Sequence, residues 1–144
     1  MWKLVILFIF LKFSSTIGQQ LNYQTLPNTT IPISYNLLIE TKVHSASRTF
    51  TGVVEIEVQV LGVTNEIILN SRGLNIKNVV VIDAVVLGKD NPEQDILIIT
   101  LTDDLIIDKV YIIIIEFSGT MLLVADGFFR SSYSVRENNT DKYL

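Results

Sequence analysis

The chain is 144 residues long and contains no cysteine and a single histidine, His44. Without cysteine there is neither a disulfide framework nor a thiolate zinc site, and one histidine cannot supply a His-based zinc site either. His44 lacks a nucleophile-elbow sequence, or any other motif that would supply a nucleophile or an orienting carboxylate, so the reading is a connection residue. Glycine-rich phosphate loops are missing. The formal net charge is −4, and no basic stripe or block of like charge is present, which excludes a nucleic-acid partner and a polybasic membrane patch. Nowhere does a 3.6-residue apolar stripe run between a cap and a terminating glycine, so no helix is expected. What remains is a chain that is 49% hydrophobic, enough to bury one core at this length without a covalent or metal staple.

The N-terminus sets the compartment. Met1-Trp2-Lys3 is a positive start, Leu4 to Leu11 is an unbroken apolar run, and Ser14-Ser15-Thr16-Ile17-Gly18 is small and polar. The run is far short of the roughly 20 residues that span a bilayer. This is the grammar of a secretory signal peptide over residues 1–18 with cleavage after Gly18. The mature chain, Gln19 to Leu144, then has no membrane span and belongs to the secretory pathway, extracellular or at the cell surface. Two N-x-Thr acceptor triplets, at Asn28 and Asn138, fit that route.

Gln19 to Pro32 reads as an extended lead-in, because the residue before each proline is pushed out of the helical region. Tyr35, Leu37 and Ile39 then alternate with the polar Ser34, Asn36 and Glu40, Leu38 being the exception, the pattern of a half-buried strand whose buried face they form. Val43 to Arg48 is the hairpin connection. Alternation is clearest from Thr49 to Val60, with Phe50, Gly52, Val54, Ile56, Val58 and Val60 on one face and Thr51, Glu55, Glu57 and Gln59 facing solvent. Gly52 marks a bulge or a close approach of another chain segment. Further strands are expected at Glu66–Leu69, Leu74–Leu87, Ile96–Thr102 and Val110–Phe117, with a bulge near Lys77-Asn78 and connections at Asn70–Gly73, Gly88–Asp95 and Asp103–Lys109. A turn is expected at Ser118-Gly119. The fold class is all-β, one mainly antiparallel, sandwich-like domain over residues 19–144.

Two clusters invite a chemical reading. Asp103, Asp104 and Asp108 are oxygen-rich, but the roughly 12-residue calcium loop with its central glycine is absent, and polar turn residues are the preferred reading. Gly127, Phe128, Phe129, Arg130 and Tyr133 combine aromatics with one cation behind a glycine. That mix suits a backbone that turns sharply and docks against another surface, either its own sheet or a neighbouring domain.

Several stretches together resemble the aminopeptidase N family, the zinc-dependent gluzincin aminopeptidases. They are Leu26-Pro27, Ile31-Pro32, Tyr35-Asn36-Leu37, Phe50-Thr51-Gly52, Thr64 to Arg72, Ile114 to Gly119, Gly127 to Tyr133 and Lys142-Tyr143-Leu144. They run in family order through nearly the whole mature chain, with Asn70 where the family often has histidine and Phe129 where it often has tyrosine. The resemblance implies the saddle-shaped N-terminal β-domain of such enzymes, incomplete at its C-terminal end. It also implies that the Gln-Phe-Glu segment, the G-A-M-E-N loop, the H-E-x-x-H zinc helix, a further glutamate ligand and the catalytic tyrosine lie beyond Leu144. On this reading the chain carries no catalytic and no metal-binding residue and no cofactor of its own, zinc belonging to the full-length family. Its partner is the catalytic domain of the same family, if the chain continues. The competing expectation is a stand-alone secreted β-module that binds a protein or glycan.

Overall fold

The computed structural model describes residues 26–41, 47–92, 95–123, 127–135 and 140–143. Its order is β1 (Thr30–Thr41), β2 (Thr49–Val60), β3 (Glu66–Asn70), β4 (Asn75–Val81), β5 (Val86–Asp90), β6 (Ile96–Leu101), β7 (Val110–Thr120), β8 (Ser132–Val135) and β9 (Thr140–Tyr143). Three antiparallel sheets result: β1-β2-β7-β4, β3-β6-β5 and the hairpin β8-β9. The domain is all-β and sandwich-like, as the alternation predicts.

The core lies where alternate residues of the first two sheets meet. Ile56, Val58 and Val60 of β2, Tyr111, Ile113, Ile115 and Phe117 of β7, and Val79 and Val81 of β4 come from one sheet. Ile67 of β3 and Leu97, Ile99 and Leu101 of β6 come from the other. Leu105 and Met121 close the ends. Burying such side chains is the main stabilising term, about 1.5–3 kcal/mol for each fully buried aliphatic or aromatic residue.

Two glycines in this sheet face phenylalanines. Gly52 of β2 sits directly opposite Phe117 of β7, and Gly119 of β7 directly opposite Phe50 of β2. A Cβ on Gly52 would come 2.5 Å from the Phe117 ring, and one on Gly119 would come 2.5 Å from the Phe50 ring. Each ring therefore lies over the backbone that a missing side chain leaves free. The rings meet edge to face, with centroids 6.3 Å apart. Gly52 is thus a close approach and not a bulge.

Several boundaries differ from the expectations. Ser118-Gly119 is not a turn, because β7 runs on to Thr120 with Gly119 making room for Phe50. Leu74–Leu87 is not one strand. It breaks at Ile82 to Val85, where Asp83 adopts a left-handed φ of 64° that an aspartate tolerates better than a branched residue. Strand β5 then continues through Gly88 to Asp90, inside the stretch expected to be a connection. The expected bulge near Lys77-Asn78 is present, between Ile76 and Asn78. The lead-in ends early: β1 starts at Thr30 and takes in Pro32, with a register shift between Pro32 and Ser34.

The largest correction concerns β1. Tyr35, Leu37 and Ile39 pair with Ile56, Val54 and Gly52 and so share the core-facing side, yet every residue of β1 from Ile31 to Thr41 is exposed. Tyr35 is 61% and Leu37 55% exposed, and Leu38, on the other face, 60%. A strand at the sheet margin, with no neighbour on its outer side among the described residues, cannot bury either face by alternation alone. Glu55 and Glu57 differ in the opposite sense, since they lie on the outer face but are half-buried.

Candidate functional site

The aromatic segment after β7 is held by backbone bonds. The Met121 N–H donates to the Arg48 carbonyl at 2.7 Å, the Leu122 N–H to the Phe128 carbonyl at 3.0 Å, and the Arg130 N–H to the Leu122 carbonyl at 2.9 Å. Leu122 and Phe129 form an isolated parallel bridge. Gly127 has φ 64°, the left-handed conformation that glycine accepts without a Cβ penalty. The sharp reversal at this glycine carries Phe128 back to the sheet, where its ring meets Phe50 edge to face, centroids 4.9 Å apart.

Of the two uses foreseen for the aromatics, the contact with the chain's own sheet is present. Phe128 packs on its own sheet through Phe50, yet it remains 40% exposed, and Phe129 is 44% exposed. Leu122 and Leu123 are exposed beside them. The Tyr133 backbone pairs with Lys142 in the β8-β9 hairpin, and its side chain is outside the described residues. Leu122 belongs to the segment through its backbone bonds, which no side chain in the sequence announces.

A second opening lies under β1. A cavity of about 350 Å³ is bounded by Tyr35 and Leu37 of β1, Val54 of β2, Phe117 of β7 and Ile68 and Leu69 of β3. The lining is overwhelmingly apolar. Nearby, Ser71, the one buried polar side chain among the described residues, donates from Oγ to Asn91 Oδ1 at 2.9 Å, and Asn91 Nδ2 donates to the Leu74 carbonyl at 3.2 Å. Ser71 and Asn91 thus bond to one another and to the backbone at this end.

The chemically suggestive acidic cluster resolves into turn geometry. Asp103, Asp104 and Asp108 are exposed in the connection from β6 to β7. Asp103 accepts from Thr102 Oγ1 at 2.9 Å, while Asp108, with φ 66°, donates its N–H to the Val60 carbonyl. Among the described residues, no three His, Cys, Asp or Glu side chains converge so that they could hold a metal ion. The described residues therefore do not fit zinc. His44, Gly18 and Asn138 are outside the described residues; Asn28 is exposed in the turn that precedes β1. No helix among the described residues is long and apolar enough to cross a membrane.

Comparison with known proteins agrees with this architecture. The family model for the peptidase M1 N-terminal domain matches residues 31–144. Human endoplasmic reticulum aminopeptidase 1 is 25% identical over 120 residues, an alignment that covers 78% of this chain but only 12% of that protein. The matched range takes in nearly all of β1 and every later strand, and the chain belongs to the peptidase M1 family through its N-terminal domain.

Proposed function

We propose that this chain is the non-catalytic N-terminal β-domain of a secretory-pathway zinc aminopeptidase, and that it supports and walls one side of the cavity in which peptides lose their N-terminal residue. The observation that carries this reading is the amount of apolar surface left uncovered where nothing catalytic is found. Leu122, Leu123, Phe128 and Phe129 are exposed together beside a turn, and soluble monomers seldom leave such a patch unless another surface covers it. Gly127, Phe128, Phe129, Arg130 and Tyr133 are the docking segment in this proposal, with the catalytic domain of the same polypeptide as partner. Export follows removal of residues 1–18, and Asn28 and Asn138 are the glycan acceptors. Zinc would be held wholly by the partner domain.

Sequencing the transcript past the codon for Leu144, and assaying the secreted product on an aminoacyl chromogenic substrate, tests the reading. An open frame carrying an H-E-x-x-H helix is expected, with activity lost on chelation and restored by zinc. A stop after Leu144 in a secreted, monodisperse product would overturn it in favour of a stand-alone binding module.

A further inference from the structure

The two ends of the sandwich are built from different residues. At one end the connections are polar: Ser71-Arg72-Gly73 between β3 and β4, and Asn91-Pro92 after β5. At the other end the connections from β2 to β3, β4 to β5 and β6 to β7 expose six aliphatic side chains. These are Leu61, Val63, Ile82, Val85, Ile106 and Ile107, between 42% and 69% exposed. Backbone bonds and one ion pair hold the three connections side by side. The Asp108 N–H donates to the Val60 carbonyl at 2.9 Å, and the Leu105 N–H to the Thr64 carbonyl at 2.8 Å. The Thr102 N–H donates to the Val85 carbonyl at 3.1 Å, and Lys109 pairs with Asp83 at 3.3 Å. Turn residues are ordinarily polar, and a shared apolar patch of this kind marks a surface that something covers. It is separate from the aromatic segment. Phe50, which carries Phe128, lies near the start of β2, and the apolar connection follows Val60, about 33 Å farther along the strand.

The first N-x-Thr triplet stands at this same end. Asn28 is exposed in the turn before β1, and the carbonyl of the next residue, Thr29, accepts from the Leu61 N–H at 2.7 Å and the Gly62 N–H at 3.1 Å. The acceptor asparagine is thereby fixed at the margin of the aliphatic cluster. Charge narrows what can cover that cluster. Asp83, Asp103, Asp104 and Asp108 are exposed in the same connections, and Lys109, their one cation, is tied to Asp83. An acidic rim repels an anionic lipid surface, and it repels a second copy set end to end. A neutral oligosaccharide meets neither penalty. Its rings offer C–H faces to aliphatic side chains, and its hydroxyls donate to carboxylates.

We propose that the N-linked glycan on Asn28 lies over this end of the sandwich, its neutral core packed on Leu61 and Val63, and keeps the aliphatic cluster from associating. This rests on the export proposed above, which brings the chain to the glycosylating enzyme.

The test uses the natural secreted product, with glycan positions mapped by mass spectrometry. Removing the glycans from the folded protein with a peptide N-glycosidase is expected to raise the fluorescence of an apolar dye several-fold and to make sedimentation concentration-dependent. Asn28→Gln should reproduce both changes and Asn138→Gln neither. Leu61→Ser with Val63→Ser in the glycan-free protein should bring the dye signal back down. An unchanged signal on glycan removal would overturn the proposal, and so would an equal effect of Asn138→Gln, which would make the glycans general solubilisers. Self-association with the Asn28 glycan in place would give the end to a second copy, and binding of the glycosylated product to phosphatidylcholine vesicles would give it to lipid; either outcome overturns the assignment. The two readings fail separately. An active, exported aminopeptidase with a bare Asn28 sinks this one alone, and an inactive exported product whose Asn28 glycan shields the cluster sinks only the enzymatic one.

Discussion

Strands β1 and β2 are each twelve residues long, pair with one another in antiparallel register, and alternate apolar with polar side chains. Their fates differ completely. The core-facing Ile56, Val58 and Val60 of β2 are buried, while Tyr35 and Leu37 beside them on β1 are more than half exposed. The difference is positional. Strand β2 has β7 on its other side and β3-β6 beneath it, whereas β1 has no second neighbour among the described residues and is exposed from Ile31 to Thr41. Alternation therefore reports which face a residue takes; the elements around it decide whether that face is dry.

The comparison is broken most severely at the centre. Ile113 of β7 is fully buried and faces Ile56 and Val81 on the strands to either side. Replacing it by alanine leaves a cavity that rigid neighbouring strands cannot collapse, and the expected loss is about 3–4 kcal/mol. Chemical denaturation with a shifted midpoint and unchanged slope checks this. A loss below about 1 kcal/mol would mean that the two sheets do not share the packed core described.

The glycine–phenylalanine pairs come next. Gly119→Ala puts a Cβ into the Phe50 ring, and the ring cannot swing away freely because it touches both Phe117 and Phe128. The alanine reduces unfolded-chain entropy and so favours folding slightly, but the steric term is larger, and a net loss of about 2 kcal/mol is expected. Phe50→Leu removes the ring tip. The double variant should then be less destabilised than the sum of the singles by about 1 kcal/mol, measured as a mutant cycle. Additivity would sink the account of Gly119. Phe128→Ala probes the same cluster from its half-exposed side. It removes one edge-to-face contact, and a loss of about 1 kcal/mol is expected; no measurable change would mean that the aromatic segment does not rest on the sheet.

These positions also show what the amino-acid order discloses. The alternation of β2 is legible because one of its faces is dry and the other wet, the condition under which a period of two is written into the residues. The β4 bulge is legible because Lys77-Asn78 interrupts an apolar run. Gly52 and Gly119 are chemically the same signal, a glycine inside a strand, yet only Gly52 reads as a close approach. Beside Ser118 the second glycine imitates a turn, and its meaning depends on Phe50, nearly seventy positions earlier. The break at Asp83 is concealed by Ile82 and Val85, which prolong the apolar run on both sides of a residue in the left-handed region. Within the aromatic segment, Gly127 and the aromatics are visible as a composition. Leu122, which clasps them by two backbone bonds, is not visible in this way, since nothing in its side chain announces what its backbone does. The openness of β1 is absent from the sequence for a stronger reason: it is a property of the neighbouring strand and not of β1.

The smallest expected effect is therefore the sharpest test of the comparison. In the chain Gln19–Leu144, Leu37→Ala removes an aliphatic side chain from an exposed position that only partly overhangs the cavity, and a loss below about 0.5 kcal/mol is expected, as at other surface sites. Val54 is its cross-strand partner on β2, and Ile56, the next core-facing residue of that strand, is buried; Ile56→Ala should cost several times more in the same denaturation experiment. If Leu37→Ala proves as costly as Ile56→Ala in this short chain, some part of it already covers β1, and position in the sheet no longer separates the strands.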